Sequence, residues 1–326
     1  MKKNRRRFRF GCLLTIIPLS LWACVNRQWT PRTYPHALVT ADGTVTAITD
    51  FRKQLNAIVN DIHQNEDANN IILFIHGRGK HPGKAFRQKL LADLESDYSA
   101  KVIMFHWPAW DGVLGFPEAQ ARAAATDFIA VLNQLQTCQN EPAHPLEGIR
   151  FTLLTQSMGS LVLEESVHQW GNHNMPRLFD TIILSAPASA TQGHAQWLNR
   201  ISLSDHIYTT THRHDPVLSS AEIYTRQARL GKRLPMAEEP NSLASRVIYL
   251  DVTPAWVAHR YYLHRYLRFT PHLKEFYDRI LNGLPAVLTP ENGIASTGHP
   301  QVFKLGKGLT ARGGKGAAVN TKTDRN

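Results

Sequence analysis

Three residues of complementary chemistry occur in a set order: Ser157, Asp215 and His259, separated by 58 and 44 positions. A serine hydroxyl becomes a nucleophile when a base takes its proton, and the base works when a third group holds its ring. Each of the three stands beyond an apolar run, in "RFTLLTQSMG", "HIYTTTHRHDP" and "RVIYLDVTPAWVAH". Thr155-Gln156-Ser157-Met158-Gly159 matches the Gly-x-Ser-x-Gly nucleophile turn at the serine and the second glycine, with Thr155 in place of the first. Each residue also has a plain structural role open to it. Ser157 could cap a helix, Asp215 before Pro216 could start a turn, and His259 could sit on a helix surface. Asp251 and His264 stand as a rival acid and a rival base.

Acyl transfer also needs donors for a developing oxyanion. The first candidate is the Met158 N–H, at the start of the helix that follows Ser157 and at the positive end of its dipole. The second lies in "FIHGRGKHPGK", residues 74 to 84, where an apolar strand runs into His-Gly. There the N–H of Arg78, or of its neighbour Gly77, is the candidate. The same stretch is rich in Gly and Lys, but its spacing fails the phosphate-binding loop pattern and no Lys-Ser/Thr follows. His106, Trp107, Trp110, Phe116 and Trp197 offer an apolar, aromatic rim. No metal site is expected: none of the sixteen His shows H-E-x-x-H spacing, and three Cys are too few for a Cys-based zinc site once the N-terminal two are set aside.

The elements that must position these groups follow from hydrophobic period. A short hairpin around Asp42-Gly43 and a helix after Asp50 come first. Apolar strands then recur at Ile71 to Ile75, Val102 to Phe105, Phe151 to Leu154, Thr181 to Leu184, Ile207 to Thr210 and Val247 to Leu250. Helical patterns fill Lys84 to Tyr98, Pro117 to Gln136, Met158 to Trp170 and Pro271 to Leu281. Near-continuous Val/Ile/Leu strands alternating with amphipathic helices predict an α/β fold, a doubly wound and mostly parallel sheet covered on both faces. Only about 20 residues separate Ala186 from His206, room for one short helix, so no large cap is expected.

With these residues in view, the chain resembles the α/β-hydrolase superfamily, in particular a sparsely characterised bacterial branch of serine hydrolases. The resemblance rests on His76-Gly77 after the first core strand and on "FHWPAW", with Ala109 replacing a Ser. It rests also on Asp215 to Leu218 followed by Arg229-Leu230-Gly231, and on Ala258-His259-Arg260-Tyr261. It covers roughly residues 70 to 285. It implies an α/β-hydrolase fold and a Ser157–His259–Asp215 mechanism on an ester, thioester or similar acyl bond. It favours His259 over His264 and Asp215 over Asp251, implies no cofactor, and names no substrate. The alternative function is a non-catalytic envelope lipoprotein that uses the fold as a binding scaffold.

The net charge of +11 resides at the ends: residues 1 to 10 carry six cations and no acid, and the stretch from Lys304 carries six against Asp324. The residues between are neutral overall, which argues against nucleic-acid binding. "MKKNRRRFRF" followed by "GCLLTIIPLSLWA" reads as the n-region and h-region of a signal peptide, too short for a comfortable membrane span. Leu21-Trp22-Ala23-Cys24 is similar to a bacterial lipobox. The expected organisation is therefore a lipoprotein signal over 1–23 with acylation at Cys24, a mature leader and first elements over 24–66, the hydrolase domain over 67–285, and a disordered basic tail over 286–326. The expected partners are a small-molecule or lipid-like acyl substrate and a membrane reached through the lipid anchor. Val25 after the Cys favours the outer membrane over the inner.

Overall fold

The computed structural model describes residues 36–65, 68–79, 84–110, 115–141, 146–171, 175–234, 242–255, 257 and 259–306. The chain divides into two units, residues 1–33 and 34–326. The first unit, and with it the signal segment and most of its flank including Cys24, lies outside the described residues, as do residues 307–326.

The second unit is built on one ten-stranded sheet in the order β2-β1-β4-β3-β5-β6-β7-β8-β10-β9. The strands are β1 (Ala37–Thr40), β2 (Val45–Ala47), β3 (Asn70–Ile75), β4 (Lys101–His106), β5 (Arg150–Gln156), β6 (Thr181–Ser185), β7 (His206–Thr211), β8 (Val247–Asp251), β9 (Ile294–Ser296) and β10 (Val302–Leu305). Every pairing from β4 through β8 to β10 is parallel, and an antiparallel hairpin closes each edge. The longer helices are α1 (Phe51–Asn65), α2 (Lys84–Tyr98), α4 (Ala125–Gln139), α5 (Gly159–Trp170), α7 (Pro216–Thr225) and α9 (Pro271–Ile280). Shorter ones are α3 (Glu118–Ala123), α6 (His194–Leu198) and α8 (His264–Leu267).

Strand β3 shows why the sequence pattern is continuous rather than alternating. All six residues of "NIILFI" are buried, because helices cover both faces. Each such Ile, Leu or Phe contributes about 1.5–3 kcal/mol relative to exposure. Asn70, the polar member, is used differently: its Nδ2 donates to the Leu281 carbonyl at 2.5 Å, and Thr181 Oγ1 donates to the Ile280 carbonyl at 2.6 Å. Carbonyls at the end of α9 that no intrahelical donor reaches are thereby bonded from the starts of β3 and β6.

The stretch read as one helix from Pro117 to Gln136 is two, α3 and α4, meeting at Ala124. The β6–β7 connection contains α6 alone, so no large cap is inserted there. The expectation of disorder from residue 286 is corrected over the described part. Ile294 and Leu305 are buried, and β10 lies beside β8 with Val302 opposite Tyr249 and Phe303 opposite Leu250. The apolar residues there are few, but the backbone groups of β8 supply the pairing that composition does not reveal.

Candidate active site

The winding of the sheet reverses between β3 and β5: the chain leaves β3 to form β4 on one side and returns to form β5 on the other. In doubly wound sheets such a switch opens a crevice at the carboxyl ends of the two strands. Gly77 stands on one lip, two residues beyond β3, and Ser157 on the other, one residue beyond β5.

Ser157 has φ +52°, a left-handed conformation unusual for a residue with a side chain. Its N–H donates to the Ser185 carbonyl on β6, and its carbonyl accepts from the N–H groups of Ala188 and Ser160 and from Ser160 Oγ. The backbone around Ser157 is thus held on three sides while the chain turns from strand into α5. Ser157 does not cap that helix with its side chain: its hydroxyl makes no hydrogen bond among the described residues. The turn is sharp enough that a Cβ on Gly159 would lie 2.3 Å from the Ile75 carbonyl oxygen. The second glycine of the motif is therefore required. The first is not: Thr155 is buried in β5, and its hydroxyl reaches the Ile183 carbonyl on β6 at 3.4 Å.

Of the two oxyanion candidates on the β3 side, the structure separates Gly77 from Arg78. The Gly77 N–H donates to Gln156 Oε1 at 3.1 Å, so it is engaged, and Gly77 is set aside as a donor. Its role is close approach, since a Cβ there would meet Gln156 Oε1 at 2.4 Å and Ser157 Cβ at 2.8 Å. Gln156 had no role in the sequence reading, and yet it ties the two lips of the crevice together. On the α5 side the Met158 N–H has no partner among the described residues. The loop after β3 is braced from β4: Trp107 Nε1 donates to the His76 carbonyl at 2.8 Å, and the Gly79 N–H donates to the Ala109 carbonyl at 3.2 Å. His76 stacks on His106 and on Trp107, and the Arg78 guanidinium lies over the Trp110 ring. The expected aromatic rim is therefore corrected in part. Trp107 and Trp197 are core residues and His106 is buried, while Trp110 and Phe116 are half-buried.

Asp215 ends the loop after β7 and caps α7, its Oδ1 accepting from the Val217 and Leu218 N–H groups at 2.9 and 3.1 Å. Its Oδ2 meets His259 Nδ1 at 2.6 Å. Burial pushes the Asp215 carboxyl up. The bond and charge of His259, together with the Leu218 and Val217 N–H groups, more than offset this and hold it below its ordinary value of 3.8. Nδ1 acts as donor to the carboxylate, so Nε2 carries the lone pair. No hydrogen bond joins Nε2 to the Ser157 hydroxyl.

The rivals are occupied elsewhere. His264 Nε2 meets Asp278 Oδ1 at 2.6 Å, and the His264 N–H donates to Asp97. Asp251 Oδ1 accepts from the Thr253 N–H at 2.8 Å and faces no histidine. The Arg229-Leu230-Gly231 segment, which carried part of the resemblance without a role, supports the nucleophile turn from behind. The Leu230 and Gly231 N–H groups donate to the Ser189 and Pro187 carbonyls, and Arg229 donates to the Ala188 carbonyl at 2.8 Å. A Cβ on Gly231 would lie 2.4 Å from the Ala186 carbonyl carbon.

A family model described as "Alpha/beta hydrolase of unknown function (DUF900)" matches residues 51–279. No curated protein matches the sequence. Solved structures similar to this one include an esterase of Pyrobaculum calidifontis, at 11% identity and TM-score 0.34, covering 80% of this chain and 96% of that one. Another is a serine hydrolase without lid from Xanthomonas campestris, at 12% identity and TM-score 0.34, covering 67% and 84%. A third is a hormone-sensitive lipase from a metagenome library, at 13% identity and TM-score 0.36, covering 66% and 78%.

Proposed function

The chain belongs to the alpha/beta hydrolases of unknown function (DUF900), and from that premise we propose that it is a serine hydrolase acting on an ester, thioester or similar acyl bond. The observation that carries the proposal is the combination of a strained Ser157, whose hydroxyl makes no hydrogen bond among the described residues, with an Asp215–His259 bond beyond the carboxyl ends of the parallel strands of the same sheet. In the proposed reaction Ser157 Oγ attacks the acyl carbonyl while its proton passes to His259 Nε2. Asp215 keeps the proton on Nδ1 and stabilises the imidazolium that forms. The Met158 N–H, with that of Arg78, receives the oxyanion; one such donor is worth about 3–4 kcal/mol of barrier. His259 then returns the proton to the leaving group, and water, deprotonated by the same Nε2, releases the acid and restores Ser157. No step calls for a metal or cofactor.

A fluorophosphonate probe tests the proposal. The wild type should label, Ser157→Ala should not, and Asp215→Asn should label on the order of ten-thousandfold more slowly because the imidazole tautomer is lost. A wild type that fails to label, or a Ser157→Ala that still does, rejects the mechanism. The absence of a hydrogen bond between His259 Nε2 and Ser157 Oγ then favours the second reading, a hydrolase fold used as a binding scaffold.

The address is part of the proposal: export, acylation at Cys24 and an outer-membrane location, supported by the Leu21 to Cys24 pattern and Val25. Incorporation of a fatty-acid analogue into wild type but not into Cys24→Ala tests it.

A further inference from the structure

Helix α7 does not behave as a helix that exists to cover a sheet. It is ten residues long and buries one of them, Leu218. Away from Leu218, Val217, Ile223 and Tyr224 are 47, 81 and 61% exposed, with Ser220 among them and the Tyr224 ring 6.5 Å from that of Phe116. Val217 and Tyr224 lie seven residues apart with Ala221 between them, on one line of the helix, and Ile223 flanks that line. Three large apolar side chains exposed on one ten-residue helix make it a candidate interaction surface.

The charge around the cluster indicates what it meets. Residues 213–234 carry five cations, Arg213, Arg226, Arg229, Lys232 and Arg233, against two acids. Both acids are engaged: Asp215 holds His259, and Glu222 accepts from Lys232 Nζ at 2.7 Å and from the Arg229 N–H. Arg213 and Arg226 are exposed at the two ends of α7, and neither meets a carboxylate among the described residues; Arg233, also exposed, lies with its Nε 3.6 Å from Glu222 Oε1.

We propose that α7 and its flanking arginines form a docking surface for an anionic lipid bilayer. Val217, Ile223 and Tyr224 would enter the interfacial region while Arg213 and Arg226 meet headgroup phosphates. A second copy of the chain fits this face less well, because a twofold contact places the same arginines against one another. No described helix is long and apolar enough to cross a membrane, so the contact is with the surface. The docking element follows directly on Asp215, the residue that holds His259. The docking itself does not depend on the proposed chemistry, and its test reads no activity.

The test is hydrogen exchange, read peptide by peptide on the full chain mixed with vesicles. With phosphatidylcholine vesicles containing about a third phosphatidylglycerol, amides of 216–226 should exchange about tenfold more slowly, while the β3–β8 strands stay unchanged. About 0.5 M salt should weaken the effect. The Ile223→Ser/Tyr224→Ser variant, altered at exposed positions alone, should lose it. Unchanged exchange at 216–226, equal protection on phosphatidylcholine alone, or full protection in the variant each overturns the proposal. Protection that appears without vesicles and grows with protein concentration overturns it in favour of a second copy.

Discussion

The conformation of Ser157 allows a prediction in which activity and stability part company. Its φ of +52° places it in a region that costs an L-residue roughly 1–2 kcal/mol. Ser157→Ala keeps a Cβ and keeps that cost. It removes only a hydroxyl that makes no hydrogen bond among the described residues, so its stability should stay close to wild type. Ser157→Gly removes the strain, but it also gives the unfolded chain more freedom, which returns about 0.4–1 kcal/mol. At the midpoints of the two ranges the glycine variant is about 0.8 kcal/mol more stable than the alanine variant. For a domain of this size, roughly 2–4 °C per kcal/mol converts that into about 2–3 °C in Tm. Scanning calorimetry of the two variants side by side provides the measurement, and neither variant should take up the fluorophosphonate. An alanine variant as stable as the glycine variant, or more so, would show that the turn stores no strain and that the open hydroxyl needs another account.

Other outcomes follow from the same geometry. Gly159→Ala puts a Cβ against the Ile75 carbonyl oxygen, and overpacking of this kind costs about 1–3 kcal/mol, so Tm should drop by several degrees and labelling should slow as α5 shifts; wild-type values for both would refute the close approach. His194 is buried between Tyr249 Oη and the Thr191 carbonyl, and burial pushes its pKa below the ordinary 6.5, more than the Thr191 contact raises it. A lowered pKa in the fold means stability present above about pH 6.5 and lost as pH falls below it, so Tm should decline from pH 7.5 to 5.5 and decline less in His194→Gln. Asp215, held below 3.8, adds a loss confined to still lower pH. Ending the chain after Thr289 removes β9 and β10 and uncovers β8, which should lower Tm by many degrees or leave the protein insoluble; a truncated protein melting like the full chain would contradict the pairing.

Much of the architecture is legible from the residues alone because β3 to β8 are buried on both faces and therefore read as unbroken apolar runs. Ser157, Asp215 and His259 stand out as candidates because each follows one of these strands. What escapes is local and polar. Gln156 takes the Gly77 N–H through a side chain whose direction depends on the turn at Ser157, which no spacing encodes. α7 is missed because its pattern does not resemble a helix with a buried face, and it has none beyond Leu218. β9 and β10 are only three and four residues long, too short to stand out by hydrophobic period; β10 is a strand because β8 presents it with unpaired backbone groups, and β9 pairs in turn with β10. Trp107 and Trp197 look like a rim in sequence, but their size makes them the natural filling for the core.

The order in which the sheet closes has a consequence for how the protein is made. Each edge ends in a strand of three residues, β2 from the start of the unit and β9 from its end. Strand β8, which leads to His259, has no neighbour on its outer side until residues 302–305 have been synthesised. Until then the nascent chain presents an open, apolar parallel edge to any extended segment nearby. Premature termination or slow delivery of the last residues should therefore yield aggregation rather than a smaller working domain. The C-terminal hairpin, which adds little to the core, serves as the last closure that makes the rest of the sheet safe.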